Sequence, residues 1–268
     1  MKIKIAAVQF KIEPFRPEIN LKRMEKFIQI AKGEKAEIVV FPEVSVTPTA
    51  GKKEFFDFEG KYKNHFQKLA QKYSINICPG SFIEKEENDF YNSAYFFDQK
   101  GKIKGKYSKI HLIAQEKKYL KAGKKVSAFN TKYGKFGILI CWDLAFPEVF
   151  RELIKERVKL IFCPSYWFFG ESCQLSTYKG EIERVNSLCQ ARAFENEIFL
   201  VFVNAVGKTP KNKKLIGQTQ IAHPFPSKTK RLDDKKEGIL VEEIDLKELE
   251  KAEKIYKIKE GFKKWQKK

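Results

Sequence analysis

Short apolar runs alternate with charged stretches along the chain, and the period of each run assigns an element. IKIAAVQF (3–10) reads as a strand. Residues from about 19 to 32 place Leu21, Met24, Phe27, Ile28 and Ala31 on one stripe at helical spacing. EIVVFPE (37–43) is a buried strand stopped by proline, residues 61–73 form a second amphipathic helix, and INICPGSF (75–82) is again a strand. FYNSAYFFD (90–98) and KIKGKYSKI (102–110) read as antiparallel neighbours, and GKFGILIC (134–141) is the most apolar strand. A helix over about 147–156, the strand KLIFCPS (159–165) and a long helix over about 173–195 follow. The strands IFLVFVNAVG (198–207), QTQIAHPF (218–225) and GILVEEIDL (238–246) complete the series. Strands that alternate with helices, together with hairpin-like pairs, predict a layered α/β domain with a mixed sheet. No linker or low-complexity block interrupts residues 1–268, so one domain is expected, with GKTPKNKKLI (207–216) as a turn-rich loop and about 247–268 as a peripheral helix or arm.

Composition narrows the class. Hydrophobic residues make up 43% and charged residues 32% of the 268, a globular balance. No apolar run approaches the roughly 18 to 20 residues that span a bilayer, and Met1 leads directly into a lysine-bearing strand rather than a signal peptide. A cytoplasmic protein without a membrane partner is the expectation. The cysteines at 78, 141, 163, 173 and 189 contain no CxxC pair, so reduced thiols are expected rather than a zinc knuckle or a dithiol centre. The histidines at 65, 111 and 223 are scattered, and neither a metal nor a cofactor is expected.

The net charge of +19 raises nucleic acid as a partner. Lysines, however, alternate with glutamates, as in EKEEND and KELEKAEK, and only the terminal GFKKWQKK is a true basic cluster. A solvated lysine-rich surface accounts for this pattern, and nucleic acid is not the expected partner.

Chemistry concentrates where three apolar strands end. IVVFPE ends at Glu43, KYSKIHL surrounds Lys109, and GILIC ends at Cys141. In α/β sheets, side chains at strand ends reach a shared crevice. WDLAFPEVFRELI after Cys141 predicts a strand-to-helix turn that aims the sulfur outward, with backbone N–H groups close by. A helix N-terminus and a neighbouring ammonium would both lower the thiol's pKa. Taken singly, each residue has an ordinary role: a solvated turn glutamate, one lysine among many, a packed cysteine. Their occurrence together and in order is what points to a nucleophilic site.

That constellation resembles the nitrilase, or carbon–nitrogen hydrolase, superfamily over almost the whole chain. The glutamate frame is VVFPE (39–43), the lysine frame KIHL (109–112) and the cysteine frame GILICWDLAFPEVFREL (137–153). PGSF (79–82), YNSA (91–94), PSYW (164–167), ARAFEN (191–196) and VNAVG (203–207) support it. The resemblance implies a four-layer αββα sandwich with mixed sheets, an amidase-like enzyme, and a Glu43–Lys109–Cys141 triad. It places Glu116 where many members carry a second active-site glutamate. It also implies a cysteine thioester mechanism on a small amide or N-carbamoyl compound, and a homodimer or larger homo-oligomer. Trp142, Phe146, Tyr166, Trp167 and Phe168 are the expected pocket wall, and His111 is read as structural. Two positions depart from the family pattern: Ala145 replaces an arginine common in amidase-like members, and HPFP (223–226) replaces D-P-x-G. CWD in place of CWE argues against true nitriles. A catalytically silent binding protein on the same fold, and a basic nucleic-acid-binding protein, are the alternatives from other classes.

Overall fold

The computed structural model describes residues 1–170 and 176–266. The first half of the chain runs β1 (Lys2–Gln9), α1 (Pro17–Gly33), β2 (Ile38–Val40), α2 (Lys61–Tyr73), β3 (Asn76–Cys78), β4 (Ser81–Glu86), β5 (Asp89–Phe97) and β6 (Ile103–Ser108). The second runs β7 (Ser127–Thr131), β8 (Gly134–Ile138), α3 (Pro147–Lys155), β9 (Leu160–Pro164), β10 (Phe168–Phe169), α4 (Tyr178–Asn196), β11 (Phe199–Val203), β12 (Lys214–Leu215), β13 (Gln220–Ala222) and β14 (Lys230–Arg231). β15 (Gly238–Asp245), α5 (Lys247–Tyr256) and α6 (Ile258–Gln266) complete it.

Each half contains three parallel strands joined by helices. β1, β2 and β3 run parallel with α1 and α2 in the crossovers, and β8, β9 and β11 run parallel with α3 and α4. Antiparallel strands extend both sheets. β15 lies along β1 over eight paired positions, β3 and β4 share one edge of β5 with β6 on the other, and β7, β13 and β14 flank the second sheet.

The alternation of side chains along a strand explains the layering. On β1, Ile3, Ile5 and Ala7 pack with residues of β8, β9 and β11, whereas Ala6 and Val8 pack with Met24 and Ile28 of α1 and Phe66 and Leu69 of α2. The two sheets therefore meet face to face, with a helical layer outside each. Phe96, Phe136 and Phe162 fill the space between them, the Phe96 and Phe162 rings stacked at 5.5 Å. Burying a phenylalanine of this kind contributes about 1.5–3 kcal/mol. This is the αββα sandwich implied by the sequence.

Several boundaries differ from the sequence expectation. INICPGSF is two strands, because Pro79 and Gly80 interrupt the ladder; Gly80 has φ 81°. α1 begins at Pro17, a residue suited to the first helical turn. α4 starts at Tyr178, where the Thr177 hydroxyl accepts the Gly180 N–H at 3.0 Å; residues 173–175 of the expected helix lie outside the described residues. QTQIAHPF forms a strand only over β13, and the 207–216 loop carries β12, which pairs with β10. The peripheral C-terminus is two helices broken at Lys257, with φ 54°, and Lys267 and Lys268 lie outside the described residues.

Candidate active site

The parallel strands end on the same side of each sheet, and the reactive groups follow those ends. Glu43 lies three residues past β2, Cys141 three past β8, Tyr166 and Trp167 just past β9, and Lys109 immediately past β6. Gly80 lets the Glu43 segment pass close by: a Cβ at that position would lie 1.7 Å from the Pro42 carbonyl oxygen. The Glu43 N–H then donates to the Ser165 carbonyl at 3.2 Å, joining the two sheets at this end.

Glu43, Lys109, Cys141 and Glu116 line one cavity of about 450 Å³. Lys109 is 2% exposed, and its ammonium donates to Glu43 Oε1 at 2.8 Å and to both Glu116 oxygens at 3.0 and 2.9 Å. Burial alone would pull this lysine toward neutrality, but the two carboxylates outweigh it and hold its pKa well above the ordinary value. For Glu43 burial dominates and raises the pKa, with Lys109 opposing and Glu116 reinforcing the rise. Glu43 Oε2 accepts the Tyr166 N–H at 2.9 Å, which fixes the carboxylate plane.

Cys141 opens a single 3-10 turn (Cys141–Ala145) rather than an α-helix, and its φ of 48° places it in the left-handed region. A non-glycine residue held there is a strained position of the kind found at active sites. The lowered thiol pKa expected from the sequence does not arise. Burial, reinforced by the Glu43 carboxylate, drives it well above the ordinary 9.0 despite Lys109. Cys163, on β9, is wholly buried, and that burial pushes its thiol up to about 12. Cys173 lies outside the described residues.

Trp142, Tyr166, Trp167 and Phe168 line the cavity, with the Trp142 and Trp167 rings 5.2 Å apart. Phe146, expected in the wall, does not line it. Its ring stacks on His111 at 3.6 Å and 5°, because the chain is already turning into α3. His111 in turn binds a group that sequence reasoning overlooked. Asp143, 0% exposed, accepts His111 N at 2.9 Å and faces His111 Nδ1 at 2.7 Å through Oδ1. Its Oδ2 accepts Ile140 N at 3.0 Å and the Tyr107 hydroxyl at 2.7 Å. One carboxylate thus ties the Cys141 turn to the Lys109 segment.

Asn92 was overlooked as well. Its Nδ2 donates to Glu43 Oε1 at 2.8 Å and Glu116 Oε1 at 3.2 Å. The reverse amide orientation would set an oxygen against two carboxylates, so the donor face is fixed by charge. Both residues lay in frames noted in the sequence, YNSA and CWD; a polar residue inside an apolar stretch was the available signal.

A buried carboxylate, an ammonium and a thiol on strained backbone lie together at the strand ends of an αββα sandwich, group types that nucleophilic catalysis draws on. Among the described residues no cluster of candidate metal ligands occurs, and no helix is long and apolar enough to cross a membrane. Residues 4–254 match the sequence pattern of the family described as carbon-nitrogen hydrolase. The chain belongs to the carbon–nitrogen hydrolase family. It is 31% identical over 253 residues to the 2-oxoglutaramate amidase of Bacillus subtilis (strain 168), covering 92% of this chain and 93% of that protein. It is 32% identical over 268 residues to the N-carbamoylputrescine amidase of Oryza sativa subsp. japonica, covering 92% and 87%. Its fold matches the carbon-nitrogen hydrolase of Helicobacter pylori G27 with a TM-score of 0.85 over 96% of this chain and 94% of that one, at 22% identity.

Proposed function

We propose that this carbon–nitrogen hydrolase acts on a small amide or N-carbamoyl compound, with Cys141 as nucleophile, Glu43 as general base and acid, Lys109 as the electrostatic stabiliser and Glu116 as the orienting carboxylate. The observation that carries this reading is the 2.8 Å contact between Lys109 and Glu43 in the cavity that holds Cys141. Glu43 takes the thiol proton as sulfur bonds to the carbonyl carbon, which avoids a free thiolate in a buried site. The oxyanion is held by the Lys109 ammonium and the Trp142 backbone N–H. Collapse breaks the C–N bond, Glu43 returns its proton to the departing nitrogen, and ammonia or an amine leaves. Water then attacks the thioester, with Glu43 taking its proton and the thiol reforming. Trp142, Tyr166 and Trp167 shape the space around the acyl group; Phe146 is left out of that set.

The test is ammonia release across an amide panel together with the mass of the trapped enzyme. Wild type should gain an acyl mass on Cys141, and Cys141→Ala should lose both turnover and adduct while keeping its fold. An adduct on Cys163 with Cys141 unmodified refutes the assignment. Binding without turnover by the wild type would favour a silent binding protein. Tight, salt-sensitive retention on a polyanion column would revive nucleic acid as a partner. The reading takes residues 1–268 as one domain of a cytoplasmic homo-oligomer; light scattering on the purified chain and fractionation of its cells check those two points.

A further inference from the structure

We propose that Val44 and Ser81 are positioning residues for the general base, and that they hold the Glu43 carboxylate against Lys109 through a strained turn of the backbone. This deepens the hydrolase reading and rests on it. Val44 follows Glu43 directly, and its φ of 47° lies in the left-handed region. A β-branched residue is a true outlier there, because its Cβ crowds the following carbonyl oxygen. Such strain persists only where the surroundings enforce it, and it gathers at functional sites.

The course of the chain explains why the turn falls here. β2 ends at Val40, and Phe41 N still donates to the Cys78 carbonyl at 2.9 Å, so the chain leaves the sheet only after Phe41. Two residues later Glu43 lines the cavity, yet Ser45 and Val46 are already back in the interior, 0% and 1% exposed. The Ser45 hydroxyl donates to the Pro79 carbonyl, and Asn20 Nδ2 donates to the Val46 carbonyl at 2.9 Å. With both sides anchored, the reversal falls on Val44. Its N–H has left the sheet ladder, and the buried Ser81 hydroxyl accepts it at 3.1 Å. Ser81 is the first residue of β4, so a strand fixes this acceptor. The valine side chain supplies the second hold. It lines the cavity and packs against the cluster of Phe56, Ile83, Leu112 and Leu120, and Leu112 lies three residues past Lys109. One residue thus spaces the Glu43 turn from the segment that carries the ammonium.

The experiment follows two readouts: ammonia release from the most active amide of the panel, and titration of the Glu43 carboxyl by NMR of carboxyl-labelled glutamate, assigned with Glu43→Gln protein. Ser81→Ala leaves the Val44 N–H without its acceptor, so the turn relaxes and Glu43 drifts from Lys109. kcat should fall about 10- to 100-fold while KM changes by less than about 3-fold. Without the ammonium contact the carboxyl is harder to ionise, so the Glu43 titration and the acid limb of kcat/KM should both move up by about 0.5–1 pH unit. Ser81→Cys keeps the volume with a weaker acceptor and should fall between Ser81→Ala and wild type. Val44→Gly removes the packed side chain and should repeat the kcat loss. Both variants act through the same carboxylate, so Ser81→Ala/Val44→Gly should be no slower than the worse single variant. A Ser81→Ala protein with a lower urea midpoint, kcat within about 2-fold of wild type and an unmoved Glu43 titration would give Ser81 a structural role alone and overturn the inference. Losses that multiply in the double variant would overturn it too. A Glu43 titration that moves as expected, with no ammonia released by the wild type from any amide, would sustain the positioning and sink the hydrolase reading instead.

Discussion

Asp143→Asn removes a charge and exchanges one acceptor oxygen for an NH2 group, with almost no change in shape. The native carboxylate meets Ile140 N, the Tyr107 hydroxyl, His111 N and His111 Nδ1 between 2.7 and 3.0 Å and is fully buried. Asparagine can orient its NH2 toward either pair. Toward Oδ2's partners, Tyr107 can rotate its hydroxyl to accept, but the Ile140 N–H is left facing a donor. Toward Oδ1's partners, His111 can change tautomer and accept through Nδ1, but its backbone N–H is then stranded. Either choice leaves one buried backbone donor unpaired, a cost of about 1–3 kcal/mol, and weakens the remaining bonds by removing charge. A loss of roughly 2–4 kcal/mol follows, a large part of the 5–15 kcal/mol typical of a folded chain. Urea titration should show a lower midpoint at unchanged slope. Because Ile140 N immediately precedes the strained Cys141, the sulfur should also shift, and an ångström of misplacement lowers kcat by about 100-fold. A loss below about 0.5 kcal/mol with kcat intact would refute Asp143 as the support of this turn.

Four further outcomes follow from the same geometry. Lys109→Met strands two buried carboxylates and should cost about 3–5 kcal/mol. Adding Glu116→Gln should recover part of that loss, and a double variant no more stable than the single would show that charge is not the cause. The Glu43 pKa is already raised, so its proton is held more tightly in the folded chain than in the unfolded one. Its contribution to stability is therefore present at low pH and lost as pH climbs above the ordinary 4.5, more steeply in Lys109→Met, as urea midpoints across pH should reveal. Asn92→Ala withdraws a donor that favours the ionised form of Glu43, so the acid limb of the kcat/KM profile should move to higher pH; an unmoved limb excludes that role. Iodoacetamide labelling of Cys141 should be slow at neutral pH and show no inflection near 9.0, because burial holds the thiol protonated; rapid labelling there would mean a free thiolate.

What was legible in the chain, and what was not, divides along the range of the interactions. Glu43 and Cys141 stood out because each ends an apolar run, which carries its last residues to a sheet end whatever the neighbouring strands are, whereas Lys109 follows the lysine-rich β6 and stood out only through its KIHL frame. The layers were legible for the same local reason: the period of β1 already divides Ile3, Ile5 and Ala7 from Ala6 and Val8. The polar scaffold was not legible, because no local pattern records it. Asp143 acts on Tyr107 and His111, 36 and 32 positions away, and Asn92 meets Glu43 across 49. The thiol pKa was misjudged for a related reason. A nearby ammonium and a turn amide can be inferred from adjacent residues, whereas burial is set by both sheets closing over the site, and here it is the larger effect. Phe146 follows the same rule: its neighbours in sequence point to the cavity, but its partner, His111, lies on another segment. The residues nearest the chemistry are thus placed by local pattern, while their ionisation and orientation are set by long-range partners. Substitutions at Asp143 and Asn92 test the second of these independently of the first.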